Sequence, residues 1–299
     1  MKNVLFATAA LLLAALPSMA AGIDVVTTTP ELAALAHEIG GNLVNIQSLA
    51  RPEANYHQID AKPSDVVKVA RAEVFVRCGM DLDMWADSLL ACARNPKVST
   101  GGPGYVDASA RIHKQQVPAG GINGASGDVH PLGNPHYWYD PKNGVVAAYE
   151  ILLALRKVDP THASAYDANY NHFAAEINSK LAGWEHELAP YKGRSFVAYH
   201  EEWVYFAERF GLREFGFLEP KPGIAPSGGH VTALEQQMKA GGCKAVVLGS
   251  IYSHRYADLI ARTTGAHVAT VPYSVGGMGT HTYIEYIDAI VDGFRKALD

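Results

Sequence analysis

From Ile23 onward the chain alternates short β-branched runs with amphipathic stretches of helical length, and this alternation narrows the fold more than any other feature. Asp24–Thr28, Leu43–Leu49 and Val74–Cys78 read as strands, interleaved with helices over Pro30–Ile39, Pro63–Arg71 and Asp81–Cys92. Proline suits the first turn of a helix, where its missing N–H would be unpaired anyway. Strands joined by helices of this length imply βαβ crossovers, and hence a parallel sheet with helices on its faces. The pattern then recurs. Ser195–Tyr199, Arg213–Phe217, Ala245–Leu248 and His267–Val271 alternate with helices ending at Phe210, covering Val231–Ala240, following Ser253 and following His281. The expected fold is therefore α/β, with two similar lobes of parallel-sheet βαβ architecture. In such sheets binding groups gather beyond the carboxyl ends of the strands.

Between the two sets of strands lie two helices. One covers Val145–Arg156; the other follows Asp159-Pro160-Thr161 and continues to Leu188, with Tyr166, Tyr170, Phe173, Ile177, Leu181 and Trp184 at spacings of three and four. Some twenty-eight residues at about 1.5 Å each span roughly 40 Å, the width of a domain. A rigid connector between two lobes is expected. The chain divides accordingly into residues 1–21, an N-terminal lobe at 22–159, the connecting helix at 160–189 and a C-terminal lobe at 190–299.

Residues 1–21 carry Lys2, the apolar run Val4–Leu16 and then Pro17-Ser18-Met19-Ala20-Ala21, the layout of a signal peptide cleaved near Ala20 or Ala21. The apolar run is too short to span a bilayer. About 278 residues would follow, enough for two cores, and a soluble periplasmic protein is expected. Charge is scattered and the net value is −5, so nothing marks a nucleic-acid or membrane-surface partner. Cys78, Cys92 and Cys243 match no zinc ribbon or redox motif; in an oxidising compartment Cys78 and Cys92 could pair, leaving Cys243 as a small hydrophobe.

Histidines carry the chemistry. His136 lies in Gly133-Asn134-Pro135-His136-Tyr137-Trp138-Tyr139-Asp140-Pro141, where two prolines restrict the backbone and aromatic rings exclude water. His57 sits in the loop Arg51–Asp60, just past a strand end, and His200 follows the strand Ser195–Tyr199 at the same topological address. All three are expected to converge on one inter-lobe cleft. Three imidazoles and one further group make a usual zinc sphere, whereas manganese and magnesium favour oxygen donors. His113 and His130 could sample metal transiently but are read instead as solvated loop histidines, next to a Gly-rich segment at 118–127 that is expected to be the most mobile part of the mature chain. There is no phosphate-binding Gly loop, no zinc-protease signature (position 204 is Val) and no Gly-x-Ser-x-Gly elbow. A secreted zinc hydrolase with Glu201 or Glu202 as base is a second reading of three histidines and a water.

At these residues the chain resembles the periplasmic receptor subunits of zinc and manganese ABC importers. The segments that carry the resemblance are the loop around His57, Asn134 to Pro141, His200 with its aromatic helix, Glu219-Pro220-Lys221-Pro222-Gly223-Ile224, and Ser274-Val275-Gly276-Gly277. It implies two α/β lobes joined by one long helix, a zinc ion (with manganese as the second choice) in the cleft on His57, His136 and His200, and delivery to a membrane permease by a monomeric receptor that is not an enzyme. Many members add an Asp or Glu after the last strand. Tyr273 stands there, so the fourth position is expected to be water or a weak oxygen, with Tyr273, His254 and His281 as the protein alternatives.

Overall fold

The computed structural model describes residues 22–120 and 127–299. The expected signal peptide over residues 1–21, and residues 121–126 within the Gly-rich segment, lie outside the described residues. The first lobe contains β1 (Ile23–Thr27), α1 (Pro30–Gly40), β2 (Val44–Ser48), α2 (Pro63–Arg71), β3 (Val74–Arg77), α3 (Trp85–Ala93), β4 (Tyr105–Asp107) and α4 (Pro141–Val158). The helix α5 (Ala163–Leu188) crosses to the second lobe, which holds β5 (Ser195–Ala198), α6 (Val204–Phe210), β6 (Arg213–Phe217), α7 (Gly228–Gly241), β7 (Ala245–Gly249), α8 (Arg255–Thr264), β8 (His267–Val271) and α9 (Tyr283–Leu298). Among the described residues no helix is long and apolar enough to cross a membrane.

Each sheet has four parallel strands, in the order β2-β1-β3-β4 and β6-β5-β7-β8. The second sheet thus repeats the strand order of the first. Both faces of each are covered, so the central strands read as unbroken apolar runs, with β7 (Ala-Val-Val-Leu-Gly) buried at every position. Helix ends follow from local chemistry. Thr29 caps α1 ahead of Pro30, and Thr282 with Glu285 forms a reciprocal capping box at the start of α9.

Helix α5 buries Tyr166, Phe173, Ile177, Leu181, Trp184 and Leu188, and packs on α1 and α4 of the first lobe and on α9 of the second. One apolar core therefore runs through both lobes, from Val25 and Ile151 through Phe173 to Trp203, Val271 and Phe294. Smaller clusters lie under the outer face of each sheet.

The structure departs from the sequence reading in four places. Helix α3 begins at Trp85 rather than Asp81, because Gly79, Met80 and Asp81 all take positive φ and the buried Asp83 carboxylate accepts from the Cys78 and Gly79 amides. Strand β4 escaped notice since it is three residues long and follows Gly101-Gly102-Pro103-Gly104. Helix α5 starts at Ala163, after a 3-10 turn over Pro160–His162. No disulfide joins Cys78 to Cys92: all three cysteines are free, Cys78 being buried against the Pro135 carbonyl and Cys92 exposed on α3.

Candidate metal centre

Three short segments bring His57, His136 and His200 together. His57 is in a 3-10 turn at Tyr56–Gln58, after β2, where the Asn55 side chain accepts from its amide at 3.1 Å. His136 precedes a 3-10 turn at Tyr137–Tyr139 that leads into α4, and His200 lies just beyond the carboxyl end of β5. Ring centroids are 5.3 Å apart for His57 and His136, 5.1 Å for His57 and His200, and 5.3 Å for His136 and His200, a nearly equilateral triangle.

Each ring is oriented through Nδ1. The partners are Asp128 Oδ2 for His57 at 2.8 Å, Asn134 Oδ1 for His136 at 2.9 Å, and Glu219 Oε2 for His200 at 2.7 Å. An oxygen acceptor fixes the Nδ1–H tautomer and leaves the Nε2 lone pair free. The Nε2 atoms of His57 and His136 are 3.2 Å apart. Two nitrogens about 2.0–2.1 Å from one zinc at the tetrahedral angle would be separated by roughly 3.3 Å. The three side chains are almost wholly buried, and a cavity of about 80 Å³ in front of them is lined by Gln116, Asp128, His130, Asn134 and Glu201 among others.

Electrostatics favour a neutral imidazole at two of the three positions, His57 and His136. Burial lowers the pKa of His57 and His136, and neighbouring imidazoles push in the same direction. For His200 burial also acts downward, but the hydrogen bond to Glu219 and the charges of Glu202 and Glu219 outweigh it, so its pKa is raised. Asn134 does more than orient His136: its Nδ2 donates to the Glu201 carbonyl at 2.9 Å, and its own carbonyl accepts from Tyr205 at 3.0 Å, bolting the His136 loop to the second lobe. The paired hydrogen bonds from Arg209 to Asp140, each 2.8 Å, span the same junction.

Other residues singled out in the sequence fall differently. His130 is not a solvated loop histidine; its Nε2 is 3.3 Å from His57 Nδ1, and burial, followed by the charges of His57 and His200, holds its pKa down at about 4. His113 is exposed. His254 hydrogen-bonds Thr270 on the surface and His281 is exposed at the start of α9. Tyr273 is buried with its ring 5.1 Å from that of Tyr56, and burial pushes its phenol well above the ordinary value. Glu219 and Asp128, the two carboxylates that orient ligand-grade imidazoles, were not assigned roles from sequence. Their signal was present in the Glu219-Pro220 segment and in Asp128-Val129-His130, but neither names the ring it serves.

The family described as the periplasmic component A of a zinc-uptake complex, ZnuA, matches residues 25–297. Among curated proteins, the iron-binding protein YfeA of Yersinia pestis is 27% identical over 282 residues, covering 91% of this chain and 85% of its own. The manganese-binding lipoprotein MntA of Bacillus subtilis is 29% identical over 223 residues, covering 72% and 68% respectively. A crystal structure of ZnuA superposes with a TM-score of 0.78 at 21% identity, covering 93% of this chain and all of that one; at that identity the likeness is one of fold.

Proposed function

Since the chain belongs to the ZnuA family of metal-binding receptors for ABC importers, which are not enzymes, we propose that it is a periplasmic zinc receptor, carrying one zinc ion on His57, His136 and His200 to its membrane permease. The observation that carries this reading is the closed triangle of imidazoles with every Nδ1 held by an oxygen. A sphere of three nitrogens suits zinc better than manganese, which favours oxygen donors. The names of the relatives span iron and manganese as well as zinc, and the three-nitrogen donor set is what supports zinc here.

In this reading residues 22–159 and 190–299 are the jaws, residues 160–189 are the strut between them, and the receptor works as a monomer after export. Water takes the fourth position. Tyr273 is a poor candidate for it, because burial opposes ionisation of its phenol and a neutral phenol is a weak ligand. An open or weakly held fourth position eases hand-over to the permease. The hydrolase reading falls with family membership; of its two candidate bases, Glu201 accepts from Gln116 at 3.0 Å and Glu202 is fully buried.

The test is metal analysis of protein purified without added metal, followed by competition between zinc and manganese on the wild type and the H57A/H136A/H200A variant. One zinc per chain, held in preference to manganese and lost in the variant, is the expected result. Preferred manganese or iron, or a variant that still binds, would overturn the assignment.

A further inference from the structure

The loop that carries His57 belongs to the first lobe but is seated on the second. Within it Glu53 takes φ +60, a left-handed conformation that a residue with a Cβ keeps only when its surroundings impose it. Two serines of the second lobe do so. The Glu53 amide donates to Ser274 Oγ at 2.8 Å, and the Glu53 carboxylate accepts from Ser250 Oγ. Three residues further on, the Tyr56 ring lies 5.1 Å from that of Tyr273, so the loop meets the same segment twice before it reaches His57. Its own lobe grips it at Tyr56, through Trp85 Nε1 at 3.2 Å and Glu31 Oε1 at 2.8 Å. The second lobe grips it at Glu53.

The seat is stiff. Ser274 is completely buried, its carbonyl accepts from the Gly277 amide at 3.0 Å, and the Gly276 amide donates to the Thr280 carbonyl at 3.0 Å, closing the turn. Tyr286 on α9 donates to the Tyr273 carbonyl at 3.1 Å and ties this turn to the core. The two loops fit closely: a Cβ on Gly276 would stand 2.8 Å from Pro52 Cγ, and one on Gly277 would stand 2.9 Å from Glu53 Oε1. The His57 loop has a softer frame of its own, with local bonds from the Ala54 amide to the Arg51 carbonyl and from the His57 amide to the Asn55 side chain.

We propose that Ser274 is a positioning residue for metal binding: through the Glu53 amide it holds the His57 loop in the shape that presents His57 to His136 and His200. This rests on the three-histidine reading given above. Of the three rings Ser274 serves His57, since His136 is fixed through Asn134 and His200 is carried by the second lobe itself. Without the Ser274 hydroxyl the buried end of the contact is lost, and the left-handed turn at Glu53 has no support. The loop relaxes, and ordering it again at each binding event lowers affinity. The segment after β8 thus contributes to metal binding without supplying a ligand.

Zinc is the probe. Its affinity is measured by chelator competition on the wild type, S274A, E53A and E53Q, and on S274A and E53A each combined with H57A and with H136A; urea unfolding of the metal-free proteins accompanies it. S274A should weaken binding about tenfold, as expected for one orphaned donor, and E53A, which loses only the Ser250 contact, roughly threefold. E53Q keeps both contacts and should stay close to the wild type. The decisive readout is the cycle with the ligand. Once His57 is alanine, neither change should lower affinity further, whereas in H136A both should have their wild-type effect. Equal losses in the H57A and wild-type backgrounds would make Ser274 a merely structural residue, unchanged affinity in S274A and E53A would show that the loop needs no seat, and a loss in E53Q equal to that in E53A would credit the Glu53 charge instead; each overturns the proposal. Wild-type affinity in H57A would overturn the three-histidine reading, and the role of Ser274 with it. Should S274A fail to fold, E53A carries the same cycle, since Glu53 is exposed.

Discussion

Glu31→Gln tests how the junction between the lobes responds to pH. Glu31 lies in the first turn of α1, fully buried; its Oε1 accepts from Tyr56 Oη at 2.8 Å and from the Val275 amide at 3.3 Å, and its Oε2 has no partner among the described residues. It ties the turn that carries His57 to the loop after β8. Burial raises its pKa from 4.5 to about 7, against hydrogen bonds that pull the other way. The folded protein therefore keeps a proton that the unfolded chain has released, and stability falls as pH rises between those values. This contribution is whole below about 4.5 and gone above about 7. At about 1.4 kcal/mol per unit the shift is worth roughly 3 kcal/mol. Glutamine keeps the acceptor for Tyr56 and Val275 and does not titrate. Urea unfolding of the metal-free protein at pH 5 and pH 8 is the assay. The variant should match the wild type at pH 5 and exceed it at pH 8 by an amount of that order. Glu202 and Glu214, whose pKa values burial also raises to about 7, contribute equally to both proteins, so they cancel in the comparison. Identical losses of stability in wild type and variant would refute the argument.

Glu219→Gln removes the charge that orients His200, and zinc affinity measured by chelator competition should fall about 10–100-fold, as is usual for the hydrogen-bond partner of a metal ligand; an unchanged affinity would show that the 2.7 Å contact does not matter to binding. Tyr273→Phe should leave zinc affinity close to wild type, since the phenol is held neutral; a loss like that of His57→Ala would make it a ligand. Because one apolar core runs through both lobes and α5, the radius of gyration from solution scattering should change little on adding zinc; a large compaction would count against a rigid connector.

Most of the fold was legible because its signals are local. Alternation of β-branched runs with amphipathic segments marked seven of the eight strands among the described residues, and the three-and-four spacing from Tyr166 to Trp184 marked α5. What escaped depended on contacts far apart in sequence. Strand β4 is defined by pairing with β3, and the start of α3 by Asp83 holding the Cys78–Gly79 turn. The convergence of His57, His136 and His200 could be argued from strand-end positions. The oxygens that orient them could not: Asp128 is 71 residues from His57 along the chain, and nothing in composition or spacing links the two. His130 was misread for the same reason, since a loop rich in glycine gives no sign that one of its ends folds back on a strand-end histidine.

The surroundings of the bound ion are the most direct test of the three-histidine site. X-ray absorption at the zinc edge, on protein loaded with one equivalent, reads donor type, number and distance together. Four light-atom donors at about 2.0–2.1 Å, with the outer-shell scattering of three imidazoles and no sulfur, are expected. Loss of one imidazole in each of the variants His57→Ala, His136→Ala and His200→Ala should follow. A sphere with one imidazole or none, a sulfur at about 2.3 Å, or an unchanged spectrum in all three variants would contradict it.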